Sequence, residues 1–358
     1  MNHISDTCQD KIVKVLGLNW HVEEDMLQLR TSNNNNTVNT KRGILKRVAS
    51  IYDPCGYTVP NLLPAKLLLQ DLWKLKIKWD TPLSKDMTSK WKAIQEDLNE
   101  IHEICLPRCF MKNPLIKYCQ IHCFTDASTR AYAAVVYIVV GTNKSFVIGK
   151  SRLVPIKDQD DLKIPRLELL GALIGKRLIQ YVLKFIQFHC TQQFLWTDSQ
   201  IVIDWYNSQK LLTPFVSRRI EEIKRNKDLI IRHIPSGLNP ADVATRPDST
   251  KEGKMRWLSG SDFLLKKPSE WPTGPFRDNS LLVGEDLPNT KIEKTPESKD
   301  IQIDDNQSIG LDKGSEVQDS LLQEIKKLQA KYFPDEVNGK QTNLSRNLKL
   351  FKGVQRQI

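Results

Sequence analysis

The stretch IKYCQIHCFTDASTRAYAAVVYIVV, residues 116–140, contains two apolar runs separated by a short polar turn. The runs Ile116–Thr125 and Ala131–Val140 have the length and the β-branched and aromatic content of strands. A turn this short joins antiparallel neighbours, and Ser145–Ser151 supplies a third run after another short turn. The sequence therefore predicts an antiparallel meander, with Asp126 directly after its first strand.

Helix-like and strand-like segments follow the meander. Apolar residues recur on one stripe of Ile164–Phe188, which predicts a long amphipathic helix. The later predicted elements are a strand at Gln193–Trp196, a helix from Ser199, a helix over Thr213–Asn226, a strand at Leu229–Ile234 and a helical turn at Pro240–Thr245. The order β-β-β-α-β-α-α-β-α predicts an α/β fold, a mixed five-stranded sheet with flanking helices.

The flanking regions have other patterns. Val13–Trp20 and Met26–Leu29 alternate apolar and polar residues and predict a hairpin. A helical period then predicts helices around Ile44–Ile51, Leu62–Trp73 and Lys90–Ile104. We place the domain boundaries as a mostly helical region (1–112), the sheet domain (113–250), a short packed extension (251–277), a disordered linker without aromatic residues (278–320) and a helical segment (321–358).

Composition restricts the setting and the partners. The 358 residues are 40% hydrophobic, which is enough for more than one packed unit. With 53 Lys and Arg against 42 Asp and Glu, the formal charge of +11 is compatible with a polyanionic partner. Seven scattered cysteines without a secretory signal indicate an intracellular, reducing compartment, and no apolar run is long enough to indicate a membrane partner.

Two C-x3-C pairs, Cys105 with Cys109 and Cys119 with Cys123, raise the alternative of a zinc site. The second pair falls in a predicted strand, where a spacing of four residues separates the two positions by about 13 Å. Both thiols could not reach one ion, so we interpret these cysteines as buried or half-buried thiols.

Four acidic residues occupy settings from which they could converge. Asp126 and Asp198 each end a predicted strand, Glu168 lies in the first turns of the long helix, and Asp242 follows Asn239-Pro240 at the last one. Gly171, Ala172 and Gly175 share a side of the long helix with Glu168 and would let it approach the sheet. Two divalent cations, Mg²⁺ or alternatively Mn²⁺, would relieve the repulsion between such carboxylates and support phosphodiester hydrolysis.

Each acid also has an ordinary structural interpretation. An aspartate at a strand end is commonly a turn or capping residue, and Glu168 in a first helical turn would favour the helix dipole. Asp204, Glu221 and Glu222 illustrate this alternative, since they lie on the exposed faces of predicted helices. The joint order of the four acids distinguishes them from this background.

The motifs around these acids resemble the ribonuclease H domain of BEL/Pao-type LTR retrotransposon polyproteins. The segments that carry the resemblance are Phe124–Ser128, Lys150–Pro155, Ile164–Leu169, Trp196–Ser199, Arg232–Ser236 and Asn239–Arg246. Val15–Trp20 and Ala49–Gly56 are similar to the region that follows the reverse transcriptase palm. Leu322–Glu336 resembles the approach to the integrase zinc module.

The resemblance implies a type 1 ribonuclease H fold, cleavage of the RNA strand of an RNA–DNA hybrid during reverse transcription, and two bound Mg²⁺ ions. By position, the catalytic and metal-binding acids are Asp126, Glu168, Asp198 and Asp242. The candidates for contacts with the nucleic acid are Ser128, Arg152, Arg166, Ser199 and Asn239. The implied partners are the hybrid and the rest of the polyprotein, with polymerase upstream and integrase downstream, in a cytoplasmic virus-like particle.

The chain departs from the family pattern in one loop and lacks other active-site motifs. Cellular type 1 enzymes carry a histidine before the last aspartate, whereas Ser236–Asn239 has none and His233 belongs to the predicted strand. We find no paired-aspartate polymerase hairpin, no integrase acid order and no aspartic protease triplet. The alternative function is a decayed or host-adopted fragment that binds nucleic acid without cleaving it.

Overall fold

The computed structural model describes residues 12–15, 17–30, 39–109, 118–186, 189–247 and 250–272. The predicted linker at 278–320 and the predicted helical segment at 321–358 lie outside the described residues. The domain boundaries proposed above stay a prediction. The predicted α/β class is confirmed, because a mixed five-stranded sheet with flanking helices forms the centre of the structure.

The N-terminal residues form a small antiparallel sheet rather than the predicted hairpin. Its strands are β1 (Ile12–Val15), β2 (Leu18–His21), β3 (Met26–Gln28) and, from after the first three helices, β4 (Cys105–Pro107). The predicted run Val13–Trp20 is divided between β1 and β2 and does not form one strand. Gly17 adopts a positive φ of 80° and turns the chain between them. The fourth strand pairs Leu106 with Leu27.

Three helices follow β3 in the chain: α1 (Lys41–Ala49), α2 (Val59–Lys74) and α3 (Lys85–Asn99). Thr40 and Ser84 cap α1 and α3 by accepting hydrogen bonds from first-turn backbone amides. The third helix begins and ends earlier than predicted, since a 3₁₀ turn, Glu100–Glu103, replaces its expected last turn. Asp53 shapes the α1–α2 connection by accepting hydrogen bonds from the amides of residues 56, 57 and 58.

The central sheet has five strands. They are β5 (Tyr118–Ala127), β6 (Ala131–Val140), β7 (Asn143–Leu153), β8 (His189–Thr197) and β9 (Leu229–His233). Their spatial order is β7-β6-β5-β8-β9. The first three form the predicted antiparallel meander, whereas β8 is parallel to β5 and β9 is parallel to β8.

Four helices accompany this sheet: α4 (Ile164–Leu183), α5 (Gln200–Asn207), α6 (Pro214–Lys224) and α7 (Lys251–Ser259). The predicted long helix begins where the sequence indicated, at Ile164, but ends at Leu183, five residues early. The last predicted helical turn is a 3₁₀ turn, Asp242–Ala244. The crossover from β7 to β8 runs through α4, as a parallel strand beside β5 requires.

Both faces of the sheet are buried, because side chains alternate along each strand. On β6, Ala134, Val136 and Ile138 face the core under α4 and α6. The alternate residues Val135 and Tyr137 face a second core, which also contains apolar residues of the N-terminal sheet and of α1–α3. Trp257, Phe263 and Trp271, beyond the sheet, are buried in this second core.

The connection at Cys55-Gly56 docks the N-terminal region onto β7. The Gly149 amide donates a hydrogen bond to the Cys55 carbonyl at 2.8 Å, and Trp257 Nε1 donates to the Gly56 carbonyl at 3.0 Å. Gly56 has a φ of 80°, and a Cβ there would lie 2.0 Å from the Gly149 carbonyl oxygen. Only glycine permits this approach.

None of the helices in the described ranges combines the length and the apolar content that crossing a bilayer requires.

We expect Gly56→Ala to lower the free energy of unfolding by about 2–5 kcal/mol, through a strained φ and overpacking against backbone. Urea unfolding measures this loss. Gly237→Ala is the control, because nothing lies within 4 Å of a Cβ at that position, and it should change stability by less than about 0.5 kcal/mol. Equal stability of the two variants would contradict the docking role of Gly56.

Candidate active site

The parallel pairing of β5 with β8 brings two of the predicted acids to one edge of the sheet. Thr125 of β5 lies opposite Thr197 of β8 in the parallel register. Asp126 and Asp198 are the next residues on these two strands, so they lie side by side. Such strands are about 4.8 Å apart. Asp126 is 4% exposed, and Asp198 is partly exposed just before α5.

Glu168 reaches this edge because α4 packs closely on the sheet. A Cβ at Gly171 would lie 3.1 Å from the Asp126 carbonyl oxygen, and one at Gly175 would lie 2.7 Å from Thr125 Cγ2. Larger side chains at these two positions would force the helix away. The small-residue stripe therefore has the role that the sequence predicted for it.

Asp242 is held at the same edge by a network around its 3₁₀ turn. Asn239 Nδ2 donates to the Thr125 carbonyl at 2.9 Å, and the Ala241 amide donates to Asn239 Oδ1 at 3.1 Å. Ser128 Oγ donates to the Thr245 carbonyl, and Ser151 Oγ donates to the Ala244 carbonyl, each at 2.8 Å. The turn is thereby tied to β5 and β7.

Each carboxylate has its own polar partner. The Thr245 hydroxyl donates to Asp126 Oδ2, and the Ser199 hydroxyl donates to Glu168 Oε2. Ser236 forms a side-chain hydrogen bond with Asp198. Arg246 Nη2 lies 3.0 Å from Asp242 Oδ1, but not in hydrogen-bond alignment, so this buried oxygen has no hydrogen-bond donor.

Burial and mutual repulsion raise the pKa of three of these acids. For Asp126, desolvation raises the pKa to about 7; the charges of Asp198 and Asp242 add to the rise, and the Thr245 hydrogen bond opposes it. Desolvation also raises the pKa of Glu168 and of Asp198, and in each case a neighbouring acid of the set contributes. Asp198 therefore interacts electrostatically with the other three acids.

The donor set fits a hard divalent cation. It consists of carboxylate oxygens, which Mg²⁺ and Mn²⁺ prefer, and it includes the buried, donor-free Oδ1 of Asp242. Within the described residues, no group of three or more His, Cys, Asp or Glu side chains is arranged to bind one metal ion. The carboxylates are instead turned toward the hydroxyl and guanidinium groups described above, and side-chain rotations would be needed to gather them on one ion.

The five residues predicted to contact nucleic acid fall into two groups. The side chains of Ser128, Ser199 and Asn239 form hydrogen bonds within the protein. Ser199 also caps α5 by accepting a hydrogen bond from the Val202 amide. Arg152 and Arg166 are partly exposed, and the Arg166 guanidinium lies 5.2 Å from the Phe215 ring centroid. Contact of all five with nucleic acid stays a prediction.

Four neighbours of the acids were not among the predicted site residues: Thr245, Ser236, Arg246 and His233. Thr245 and Arg246 lie within the motif Asn239–Arg246, so their position beside Asp242 was a usable signal. His233 lies in β9, as predicted, and its electrostatic interaction with Asp198 lowers the pKa of that acid. Its Nδ1 is buried without a hydrogen-bond partner. Only the parallel register of β8 and β9 reveals this proximity.

Residues 40–199 match the model of a family described as "Pao retrotransposon-like RNaseH-like domain". The matched segment covers less than half of the chain. The matched segment contains Asp126, Glu168 and Asp198, together with α1–α3, so the family's RNaseH-like domain extends over helices that precede the five-stranded sheet. A search of curated proteins found no match.

Solved structures of ribonucleases H are similar to parts of the RNaseH-like chain. RNase H1 from Halobacterium salinarum NRC-1 matches at 13% identity and a TM-score of 0.25, over 34% of this chain and 87% of that one. LC11-RNase H1 in complex with an RNA/DNA hybrid matches at 16% identity and a TM-score of 0.26, over 34% and 88%.

A foamy viral protease-reverse transcriptase in complex with an RNA/DNA hybrid matches over a longer segment. It is 10% identical, with a TM-score of 0.40, over 67% of this chain. The match spans 31% of the foamy viral protein.

The pKa of Asp126 predicts how the metal-free RNaseH-like protein responds to pH. Its folded pKa of about 7 lies above the ordinary value of 3.8, so the folded state binds this proton more tightly than the unfolded state does. The resulting stabilisation is complete below about pH 4 and is lost as the pH rises through about 7. Urea unfolding in EDTA should therefore show wild type losing stability across this window relative to Asp126→Asn.

Divalent cations provide the complementary measurement. At pH 8, Mg²⁺ or Mn²⁺ should raise the melting temperature of wild type more than that of Asp126→Asn, because a bound cation stabilises the ionised cluster. Parallel pH–stability curves for the two proteins, or identical cation effects, would contradict the assignment of Asp126 to a buried metal-binding cluster.

Proposed function

We propose that this RNaseH-like domain hydrolyses the RNA strand of RNA–DNA hybrids in a reaction that depends on divalent metal ions. The observation that carries the proposal is the convergence of Asp126, Glu168, Asp198 and Asp242 at one sheet edge, where three of the carboxyl groups have raised pKa values. Perturbed acids gathered in this way are typical of catalytic sites. The family match supports the retroelement context.

The four acids would hold the metal ions, and the surrounding hydroxyl groups would orient the acids. When bound, two Mg²⁺ ions would activate a water molecule and stabilise the leaving oxygen. The chain itself positions the donors: Thr245 orients Asp126, Ser199 orients Glu168 and Ser236 orients Asp198. Arg246 neutralises part of the charge of Asp242.

Recognition of the hybrid would rest on phosphate and 2′-hydroxyl contacts across the minor groove. Among the predicted residues, Ser128, Arg152 and Arg166 are partly exposed, and the two arginines carry the positive charge that phosphates attract. On this proposal the domain acts during reverse transcription in a cytoplasmic virus-like particle. Its neighbours in the polyprotein would be a polymerase upstream and an integrase downstream.

Cleavage of a labelled RNA–DNA hybrid in Mg²⁺ tests the function. We expect wild type to cut the RNA strand and Asp198→Asn to be at least about 100-fold slower, because loss of a metal ligand removes several kcal/mol of charge stabilisation. The matched control is Asp204→Asn, since Asp204 lies on α5 and accepts a hydrogen bond from Gln200. This control should cleave at the wild-type rate.

The alternative, a fragment that only binds nucleic acid, predicts a different result. In that case wild type would not cleave, and its binding of the hybrid would persist in EDTA and weaken steeply with salt. Equal cleavage by wild type and Asp198→Asn would also reject the proposed site.

A further inference from the structure

An exposed aromatic and basic surface lies outside the acidic site, at the end of α2. We name it the Trp–Lys surface and define it as Trp73, Lys74, Lys76, Lys78 and Trp79. The Trp73 side chain is 51% exposed, and the three lysines are exposed. The Trp–Lys surface therefore combines an exposed indole ring with a cluster of positive charge.

Lys41 contacts both tryptophan rings of the surface and fixes their positions. The Lys41 ammonium lies 3.6 Å from the Trp73 ring centroid and 4.8 Å from that of Trp79, and it donates to the Ile77 carbonyl at 2.8 Å. The two indole rings meet edge to face, with centroids 5.3 Å apart. Because Lys41 itself is buried, it orders the two rings rather than offering its own charge to a ligand.

The charge of the surface is not neutralised locally. Asp80 is the one acid in the segment 73–80, and it pairs with Arg42 at 2.7 Å. Elsewhere in the described ranges, no carboxylate forms an ion pair with any of the three lysines. The segment therefore presents three cations beside an exposed indole.

Lys76 adopts an unfavourable backbone conformation at this place. Its φ is 55°, in the left-handed region, at the position after the α2 C-terminus where glycine is usual. The backbone bonds of Lys76 to Trp73 and of Ile77 to Leu72 close this helix end. The left-handed conformation ends α2 and places the Lys76 side chain between Lys74 and Lys78 in the chain.

The surface is connected to the loops that carry the candidate active site. Lys74 Nζ donates to Gln159 Oε1, and Gln159 Nε2 donates to Gln70 Oε1 at 3.0 Å, just before the chain enters the helix of Glu168. Arg130, four residues after Asp126, pairs with Asp71 of α2. The C-terminal part of α2 thus contacts the turn that follows Asp126 and the loop that precedes the helix of Glu168.

We propose that the Trp–Lys surface binds single-stranded nucleic acid, with an unpaired base stacked on Trp73 and the adjacent phosphates on Lys74, Lys76 and Lys78. An exposed aromatic face flanked by cations is the combination that single strands recognise without sequence preference. The surface extends the proposed function, since an unpaired strand leaving a hybrid could be held there. The binding test contains no cleavage step. Loss of binding and loss of nuclease activity can therefore be observed independently of each other.

Fluorescence anisotropy of the full chain with a labelled oligothymidylate about 16 nucleotides long, in EDTA, measures this binding. Trp73→Ala should weaken the affinity by about 5- to 150-fold, the loss expected for one stacked base. The variant Lys76→Gly/Lys78→Gln should lower the slope of log affinity against log salt by about 1.4, since each single-strand phosphate contact contributes about 0.7.

Lys76→Gly alone separates binding from folding. Glycine relieves the strained φ, so this variant should melt at or above the wild-type temperature and still bind the oligonucleotide more weakly. The charge-matched control is Lys227→Gln/Lys266→Gln, which removes two exposed lysines outside the Trp–Lys surface and should retain wild-type affinity.

Three outcomes would overturn the proposal. They are unchanged affinity in Trp73→Ala and Lys76→Gly, an equal loss of affinity in the control pair, and binding to anionic phospholipid vesicles without binding to the oligonucleotide. The second outcome would show that net charge alone attracts the strand.

Discussion

The parallel pairing of β5 with β8 is the constraint on which the candidate site depends. Antiparallel neighbours would place the ends of these strands at opposite edges of the sheet, whereas the parallel pair places Asp126 and Asp198 at the same edge. A parallel pair also requires a crossover, and α4 provides it. Because the first turns of α4 pass over this edge, Glu168 joins the two aspartates.

Close packing converts this topology into a site. Gly171 and Gly175 allow α4 to approach within van der Waals contact of β5, and Asn239 ties the turn of Asp242 to the carbonyl of Thr125. The same packing buries the carboxyl groups, and burial opposes their ionisation. The hydroxyl groups of Thr245 and Ser199 offset part of that cost by donating hydrogen bonds to the carboxylates.

The sequence was most informative where local patterns decide structure. The strand β6 matched its prediction at both ends, because an uninterrupted apolar run lies between the polar turn at Ser128–Arg130 and Gly141. Ile164 began its helix as predicted, with Pro165 in the first turn. The four acids could be selected because each stands at such a local boundary.

Long-range pairing was not predictable from local patterns. Residues 105–107 form a strand only because β3, far away in the chain, offers them an edge, and a three-residue run has no periodicity of its own. The proximity of His233 to Asp198 likewise depends on the order of β8 and β9 in the sheet. The hydrogen bonds from Thr245 to Asp126 and from Ser199 to Glu168 were also unpredictable, because they join side chains that are far apart in the sequence.

The central claim is that the four acids form one metal-binding site, and anomalous X-ray scattering from crystals of the protein grown with Mn²⁺ tests it most directly. The account predicts Mn²⁺ bound among Asp126, Glu168, Asp198 and Asp242, and its loss from crystals of Asp198→Asn. Mn²⁺ found only elsewhere in the molecule, or retained unchanged at this edge in Asp198→Asn, would contradict it.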